Sequence, residues 1–426
     1  MPRSHHARAA APGVTPSAAM TARSSDTVVV AGLGVIGLST ALALARRGAR
    51  VIGVDRFGSG DPRTSSTGVS RSIRVAYAIP EYAHLAVEAL DRWAWLEAAG
   101  THPILHLTGQ VDLAAPTTLA DLAGGLRAAG AEYEELTAAR IRAAMPGIVV
   151  ADDATGLFHP RAGTVIAGAG MAALAGAAVA SGAELRAPER VLEIQPEACG
   201  VRVVTAAGTL DADRAVIAAG PWTAELVEPL GLRLPLAPAV AQVTYFDVPG
   251  LVGMPAIAEW GETEEGGVYG HPVPGVGYKL GFDAAGDDPW DPDDAAAPAP
   301  DEQERLERWA GERLPGLAGR ALRSDRHPWT MTPDTDFAIG TLGPITVAAG
   351  CSGHAFKFGP ALGELVADTS DGTPRPAAAM FALDRPALAG PAPAPSKPIN
   401  GRRRRTAGVR LRTELQRKVP RPTFGV

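Results

Sequence analysis

The clearest pattern of apolar positions in the chain opens at Thr27. Residues 28–31 are uniformly apolar and lead into Gly32, Gly34 and Gly37, spaced as Gly-x-Gly-x-x-Gly. Residues 38–47 carry mostly small and apolar side chains and stop at Gly48, and residues 50–54 form a second apolar run that ends on Asp55. This order predicts a strand, a tight turn, a helix and a second strand. Residues 215–218, 239–248 and 267–282 read as further strands. Within the last, alternation sends Lys279 to the side of Gly277 and Gly281, and Tyr278 and Leu280 to the other. A helix is expected over 361–368, with Pro360 in its first turn. The uncharged runs 27–45 and 162–183 lack the Leu and Ile density and the flanking aromatic residues of membrane spans, so they read as buried helical segments of an α/β protein. Residues 283–304 are acidic and Pro-rich, as in a surface loop. No internal repeat is visible.

Each part of the opening unit has a chemical reason. Gly32 permits the turn, Gly34 lets the backbone approach a pyrophosphate, and Gly37 lets helix and strand pack closely. The helix start offers N–H groups and partial positive charge to phosphate. Asp55, 21 residues past Gly34, sits where a carboxylate accepts from ribose hydroxyls. Glycines alone would be a weak signal. Strand, glycines, helix, strand and acid in this order specify an adenine dinucleotide, without separating FAD from NAD.

With 426 residues the chain is long enough for two domains. At 46% apolar and 20% charged it supports a large core and excludes bulk disorder. Two cysteines, Cys199 and Cys351, exclude a disulfide framework or a four-thiolate metal site and fit a reducing cytoplasm; no metal is expected. Residues 396–426 hold ten Lys or Arg and one acid, Glu414; removing their +9 from the net −6 leaves −15 for the rest. So acidic a body argues against nucleic acid as a partner. Residues 391–426, with Arg402 to Arg405 in a row, read as a disordered basic tail. Residues 1–25 lack the apolar segment of a secretory signal and also read as disordered, with Met20 as a candidate natural start.

Four segments resemble the D-amino-acid-oxidase superfamily of FAD-dependent oxidoreductases, and within it the monomeric sarcosine oxidase and N-methyltryptophan oxidase group. The first is the unit at 27–55. The second is 68–77, where Arg71 and Arg74 are similar to the group's Arg-x-x-Arg. The third is 215–223, an apolar strand followed by Gly-Pro-Trp. The fourth and most specific is 349–359, Ala-Gly-Cys-Ser-Gly-His-Ala-Phe-Lys-Phe-Gly. Residues 277–281 are a weaker fifth. The resemblance covers about residues 27–386 in the family's order and implies FAD rather than NAD. It implies an α/β plus antiparallel β fold. A Rossmann-like FAD-binding domain (26–84, 150–235 and 327–390) would be interleaved with a smaller substrate domain of mixed or antiparallel sheet (85–149 and 236–326). It also implies oxidation of an amino acid's amine, a secondary one such as an N-methyl or cyclic amino acid. Hydride would pass to flavin N5 and oxygen would serve as acceptor, giving hydrogen peroxide.

On the residues alone, Arg71 and Arg74 are planar forks suited to carboxylates, or ordinary surface ion pairs. The resemblance gives Arg74 the substrate carboxylate and sets Arg71 over the flavin. It makes Lys357 the second carboxylate partner; otherwise its stem packs on Phe356 and Phe358 with the head in water. His354 either contacts the flavin region or is a satisfied structural histidine. Lys279 is implied beside flavin N5, where a fixed cation aids oxygen reduction; without the resemblance it is an exposed strand lysine. Tyr269 matches a pocket aromatic. The implied cofactor contacts are Gly32, Gly34, Val35, Ile36 and Gly37 at the glycine loop, and Asp55 and Arg56 after the second strand. Ser70, Arg71, Val191, Gly220 and Trp222 come next, then Gly353, His354, Phe356 and Lys357.

Three positions depart from the group. Monomeric sarcosine oxidases attach the flavin to a cysteine, but that position falls on His327, and Cys351 belongs to another segment. FAD is therefore expected without a covalent link, a histidyl link at His327 being the chemical alternative. Asp283 stands where sarcosine oxidase has a histidine, which favours a cationic or hydroxylated substrate group over simple sarcosine. Trp329 replaces a smaller aromatic residue, and Tyr245 and Trp260 are further candidates for the same cavity. These departures keep two alternatives open: a dehydrogenase of the same fold that passes electrons to a quinone or protein, and a flavin-binding pathway partner without turnover. The expected partners are a small amino-acid-like substrate and an electron acceptor, with no membrane span; the oligomeric state is not legible.

Overall fold

The computed structural model describes residues 26–58, 60–261, 267–284, 290–294 and 297–392. The expected disordered ends, with Met20, lie outside the described residues apart from 391–392.

Thr27–Ala31 is an inner strand of a six-stranded sheet, running in order Ala338–Leu342, Ile345–Ala349, Arg214–Ile217, Thr27–Ala31, Arg50–Val54, Glu184–Arg186. All neighbours are parallel except the first pair. Its inner strands are continuous apolar runs because both faces are covered, and an alternating pattern would leave polar groups under a helix. The helices Val35–Arg46 and Ala355–Ser370 cross almost backbone to backbone: a Cβ at Gly363 would lie 2.3 Å from the Ser39 backbone.

A second, eight-stranded sheet runs Ala321–Met331, Ala237–Phe246, Gly277–Phe282, Val268–Val273, Ala256–Glu259, Gln110–Leu113, Thr155–His159, Glu134–Thr137. One face is apolar: Tyr278 and Leu280 enter a core with Leu306 and Ala310 of the helix Pro300–Arg313. On the other face Lys279 stands between Tyr245 and His271 on its neighbouring strands. That polar face meets the strand Ser70–Ile73, which pairs with Gly163–Ile166 in a small antiparallel sheet. A three-stranded meander, Val191–Glu197, Gly200–Thr205 and Gly208–Ala212, completes the sheets.

The structure corrects several boundaries. Residues 267–282 are a hairpin, Val268–Val273 and Gly277–Phe282, rather than one strand. Residues 162–183 begin with the strand Gly163–Ile166 and become helical only over Ala167–Ala180. The helix expected over 361–368 runs Ala355–Ser370, with Pro360 in its interior. Proline leaves carbonyls of the preceding turn poorly engaged, and here the Trp93 indole donates to the Lys357 carbonyl at 2.9 Å. Thr155–His159, in a stretch assigned from sequence to the nucleotide-binding unit, pairs into the eight-stranded sheet. Among the described residues no helix is long and apolar enough to cross a membrane.

Candidate functional site

A cavity of about 550 Å³ opens at the carboxyl ends of the parallel strands, where such sheets bind ligands. Its first wall is the glycine loop. Gly32 has φ 99°, and a Cβ there would lie 2.4 Å from the Ala218 carbonyl oxygen; one on Gly37 would lie 1.8 Å from the Gly32 carbonyl oxygen. Neither position has room for any side chain. The Asp55 carboxylate accepts from the Leu33 N–H at 2.6 Å and the Phe57 N–H at 2.8 Å, so it braces the loop. Burial raises its pKa, and these two backbone donors oppose that. Each oxygen keeps lone-pair capacity for a ribose hydroxyl. Ser66, not singled out from sequence, accepts from the Val35 N–H at 2.9 Å; the hydroxyl run Thr64 to Thr67 was its only signal.

Gly32, Gly34, Val35, Ile36, Asp55, Arg56, Val191, Gly220 and Trp222 all line this cavity, as do Arg71, Gly353 and Phe356. Gly37, Ser70, His354 and Lys357, also expected at the cofactor, are not among the lining residues. Gly37 acts through packing instead. At the rim, Asp293 lies 2.5 Å from Arg56 Nη1 and accepts from the Trp222 indole at 2.8 Å. The acidic loop read as plain surface therefore reaches onto the cavity.

The other wall is the turn at 350–354. Gly350, Ser352 and Gly353 all have positive φ; Ser352, at 43°, is a buried non-glycine residue held against its preference. Its N–H donates to Thr330 at 2.9 Å and its hydroxyl accepts from the Thr332 N–H at 3.3 Å. This brings the start of Ala355–Ser370 to the cavity. Cys351 and Trp329 line the same wall. The cradle without side chains, the strand-end carboxylate and two helix starts fit FAD: one suits the pyrophosphate, the other a ring that gathers negative charge on reduction.

Behind this wall lies a cluster of buried charge. Arg71 donates to the Ser70 and Ser65 carbonyls at 2.9 Å and also to that of Thr67. Lys279 is 1% exposed and donates to the Ser70 carbonyl at 2.8 Å. Burial, with Arg71 adding to it, pushes its amine well below the ordinary lysine range. His271 Nε2 lies 3.2 Å from Ser70 Oγ. His327 packs against Gly68, where a Cβ would lie 2.7 Å from the ring, and burial pushes its pKa well down. Tyr245 is buried and lies over Lys279 rather than on the cavity.

A second cluster joins Arg74, Lys357 and Asp283, all buried. The Arg74 guanidinium carbon is 4.7 Å from the Trp260 ring centre and 5.1 Å from that of Tyr77. Burial pushes Asp283 up to about 6 against the pull of Arg74 and Lys357. Burial, then Arg74, pushes the Lys357 amine well below its usual range, while Asp283 opposes this. Tyr269 feels Arg71, Asp283 and Arg74, and burial pushes its phenol up to about 12. His354 is held by packing among aromatic rings. Its Nε2 lies 3.1 Å from the Thr335 carbonyl, its ring stacks on Phe337 at 4.8 Å, and burial pulls it to about 3. Asp112 was missed from sequence. It is fully buried on the polar sheet face, and the alternation of Gln110 and Asp112 with Val111 and Leu113 was the available signal.

This fold and cavity define an FAD-binding oxidoreductase of interleaved sheets. Residues 27–369 match the family described as FAD dependent oxidoreductase, and the chain belongs to it. A monomeric sarcosine oxidase of Streptomyces avermitilis is 33% identical over 359 residues, 80% of this chain and 92% of that one. A peroxisomal sarcosine oxidase of Mus musculus is 30% identical over 362 residues, 80% of this chain and 91% of the relative. Among solved structures, NikD in its open form, described as an unusual amino acid oxidase essential for nikkomycin biosynthesis, superposes with a TM-score of 0.70. It is 28% identical, with 81% of this chain and 94% of that chain covered. The cofactor of the family is FAD, usually bound without a covalent link.

Proposed function

We propose that this chain oxidises the amine of an amino acid, with secondary amino acids, N-methyl or cyclic, as its substrate class. The supporting observation is the trio Arg74, Lys357 and Asp283: two buried cations and one buried carboxylate. Positive charge on Arg74 and Lys357 is costly in a poorly screened interior, where burial already pushes the Lys357 amine down, and an anion relieves that cost. A substrate carboxylate supplies that anion. Asp283 complements the other end of an amino acid, accepting an N–H from the amine or the proton that an ammonium must lose first. The same two cations disfavour an ammonium and so favour the neutral, oxidisable amine. Fixing both ends orients the C–H bond to be broken.

Bound FAD would supply the hydride acceptor and pass electrons on to oxygen. Gly32, Gly34 and the first helix start would hold its pyrophosphate, with Asp55 on the ribose. Gly353, Phe356 and Arg71 would border its ring. Lys279 would hold positive charge beside the reacting centre: its amine, easily deprotonated while the pocket is empty, gains a proton when negative charge appears nearby. Cys199 and Cys351 are both free, in keeping with a cytoplasmic setting. Tyr269 would lie along the substrate, and Trp329 would narrow the cavity beside it.

The test is anaerobic bleaching of the yellow holoenzyme by a panel of primary, N-methyl and cyclic amino acids, with sarcosine and N-methyl-L-tryptophan included. Bleaching by the secondary amines first, followed by peroxide release on admitting air, is the expected result. No bleaching by any amino acid would refute the reading. Acid precipitation should leave a colourless pellet; a yellow one would show a covalent flavin link.

A further inference from the structure

The role inferred here rests on the proposed function, in which Arg74 receives a substrate carboxylate. A guanidinium stripped of water must be kept both charged and oriented before the substrate arrives. Arg74 lies over the Trp260 indole at 4.7 Å. The indole is itself tethered: its Nε1 donates to Asp112 Oδ1 at 2.9 Å. Asp112 is tethered in turn. Gln110 Nε2 donates to the same oxygen at 2.8 Å, and His159 Nε2 lies 3.2 Å from Oδ2. Gln110 and His159 are direct partners on neighbouring antiparallel strands, so the pairing register of the sheet sets the Gln110 hydrogen bond on one oxygen and brings the His159 ring beside the other.

Asp112 and His159 are both fully buried. A carboxylate so placed is costly, and the core does not require it: Val111 and Leu113 on either side supply the strand's packing. Among the described residues, its connection toward the substrate cluster is the indole. Donation of the indole N–H to a carboxylate pushes electron density into the ring, which deepens the attraction of the ring face for a cation. Placed behind the indole, Asp112 supplies compensating charge to Arg74 without forking onto it. Burial opposes the Arg74 charge, and Tyr77, then Asp283 and Asp112, sustain it.

We propose that Asp112 is a positioning residue for the reaction: acting through Trp260, it holds the Arg74 guanidinium charged and in the plane that receives the substrate carboxylate.

The test uses the flavin-loaded enzyme and the simple carboxylates acetate and benzoate, with binding read from perturbation of the flavin absorbance. Asp112→Asn should keep its flavin and weaken acetate about tenfold, with KM for the bleaching substrate rising by more than kcat falls. Trp260→Phe keeps a ring under Arg74 but cuts the tether, so it should weaken acetate to a similar degree. The double variant should then be scarcely weaker than either single one, because the two act in series. A purely structural Asp112 would lower the melting temperature and leave acetate binding unchanged, which overturns the proposal; so would additive losses in the double variant. If Asp112→Asn loses its flavin, Trp260→Phe decides alone, and unchanged acetate binding there also overturns it. Arg74→Ala separates the two levels. Unchanged acetate binding in that variant defeats the carboxylate reading itself. Lost binding there, with Asp112→Asn and Trp260→Phe both normal, defeats only the positioning role.

Discussion

The dinucleotide end and the proposed substrate end of this site are built by opposite means. The first is backbone. Gly32, Gly37, Asp55 and the start of Val35–Arg46 lie within one stretch of 24 residues, and each contributes a carbonyl, an N–H group or an absent Cβ, apart from Asp55, whose carboxylate braces those N–H groups. The second is side chains. Arg74, Asp112, Trp260, Asp283 and Lys357 come from five separate segments, and their relation is one of charge in a dry interior. A backbone site fails by collision when atoms are added. A charge site fails by imbalance when one partner is neutralised. The difference predicts how each end breaks.

The largest effect belongs to the backbone end. Gly37→Ala places a carbon 1.8 Å from the Gly32 carbonyl oxygen, a collision with backbone that no rotamer relieves. The turn must open, which costs several kcal/mol, on the order of the severest single substitutions. The expected product is colourless protein, read as the ratio of flavin to protein absorbance; full flavin content would show that the cradle is looser than it looks. At the charge end, Arg74→Ala should leave flavin content intact and weaken substrate binding on the order of a hundredfold, because Lys357 then faces the carboxylate alone. An unchanged KM for any active substrate would break the distinction between the two ends.

The same contrast governs what could be read from the chain. The glycine loop was legible because its causes are local: each glycine is forced by a neighbour within the unit, or by the strand beside it. Lys279 was placed on the correct side of its strand by alternation, since Tyr278 and Leu280 had to enter the apolar core. The pairing of Arg74 with Lys357 emerged only through family resemblance, because nothing in their own segments shows that they face each other. Pairing them needs the crossing of Ala355–Ser370 with the rest of the fold. That helix was started six residues late, since proline is expected in a first turn and here sits inside, with Trp93 meeting a carbonyl of the preceding turn. His354 was read from its motif either as a flavin contact or as a structural histidine, and its ring stacks on Phe337, a side chain seventeen residues upstream that no local pattern points to.

A smaller effect sharpens the charge end through pH. Burial has raised Asp283 to about 6, so the folded protein binds its proton more tightly than the unfolded chain does. Stability therefore falls as pH rises from about 4 to about 6, where the folded state must give up that proton. Substrate binding should move the other way, since in the proposed function the ionised carboxylate is the form that meets the amine. Asp283→Asn should therefore melt a few degrees higher at pH 7, flatten the dependence of stability between pH 4 and 6, and lose the rise in kcat/KM across the same range. Thermal melts and a pH–rate profile on one preparation check both halves. If the two curves fail to move in opposite senses, Asp283 is not the acid that balances the two cations.

The smallest effect lies at the rim, where the two means of construction meet. Asp293 is a side-chain contact on the backbone end: it pairs with Arg56 at 2.5 Å and accepts from Trp222 at 2.8 Å, and both partners line the dinucleotide cavity. Arg56 also lies 4.9 Å from the Phe57 ring centre, and Phe57 sits 5.2 Å from Trp222, so the acid caps a cluster that is already packed. Because Asp293 is half-exposed, its pair is screened by solvent and contributes little to the fold. What it can change is how readily Arg56 and Trp222 swing away from the cavity. Asp293→Ala should leave the melting temperature of the flavin-free protein unchanged and speed release of FAD about two- to fivefold, with the difference shrinking in high salt. Stopped-flow or fluorescence recovery of released FAD at two ionic strengths measures this. A salt-independent acceleration would mean that the indole hydrogen bond, not the charge on Arg56, holds the rim, and Trp222→Phe would then match it.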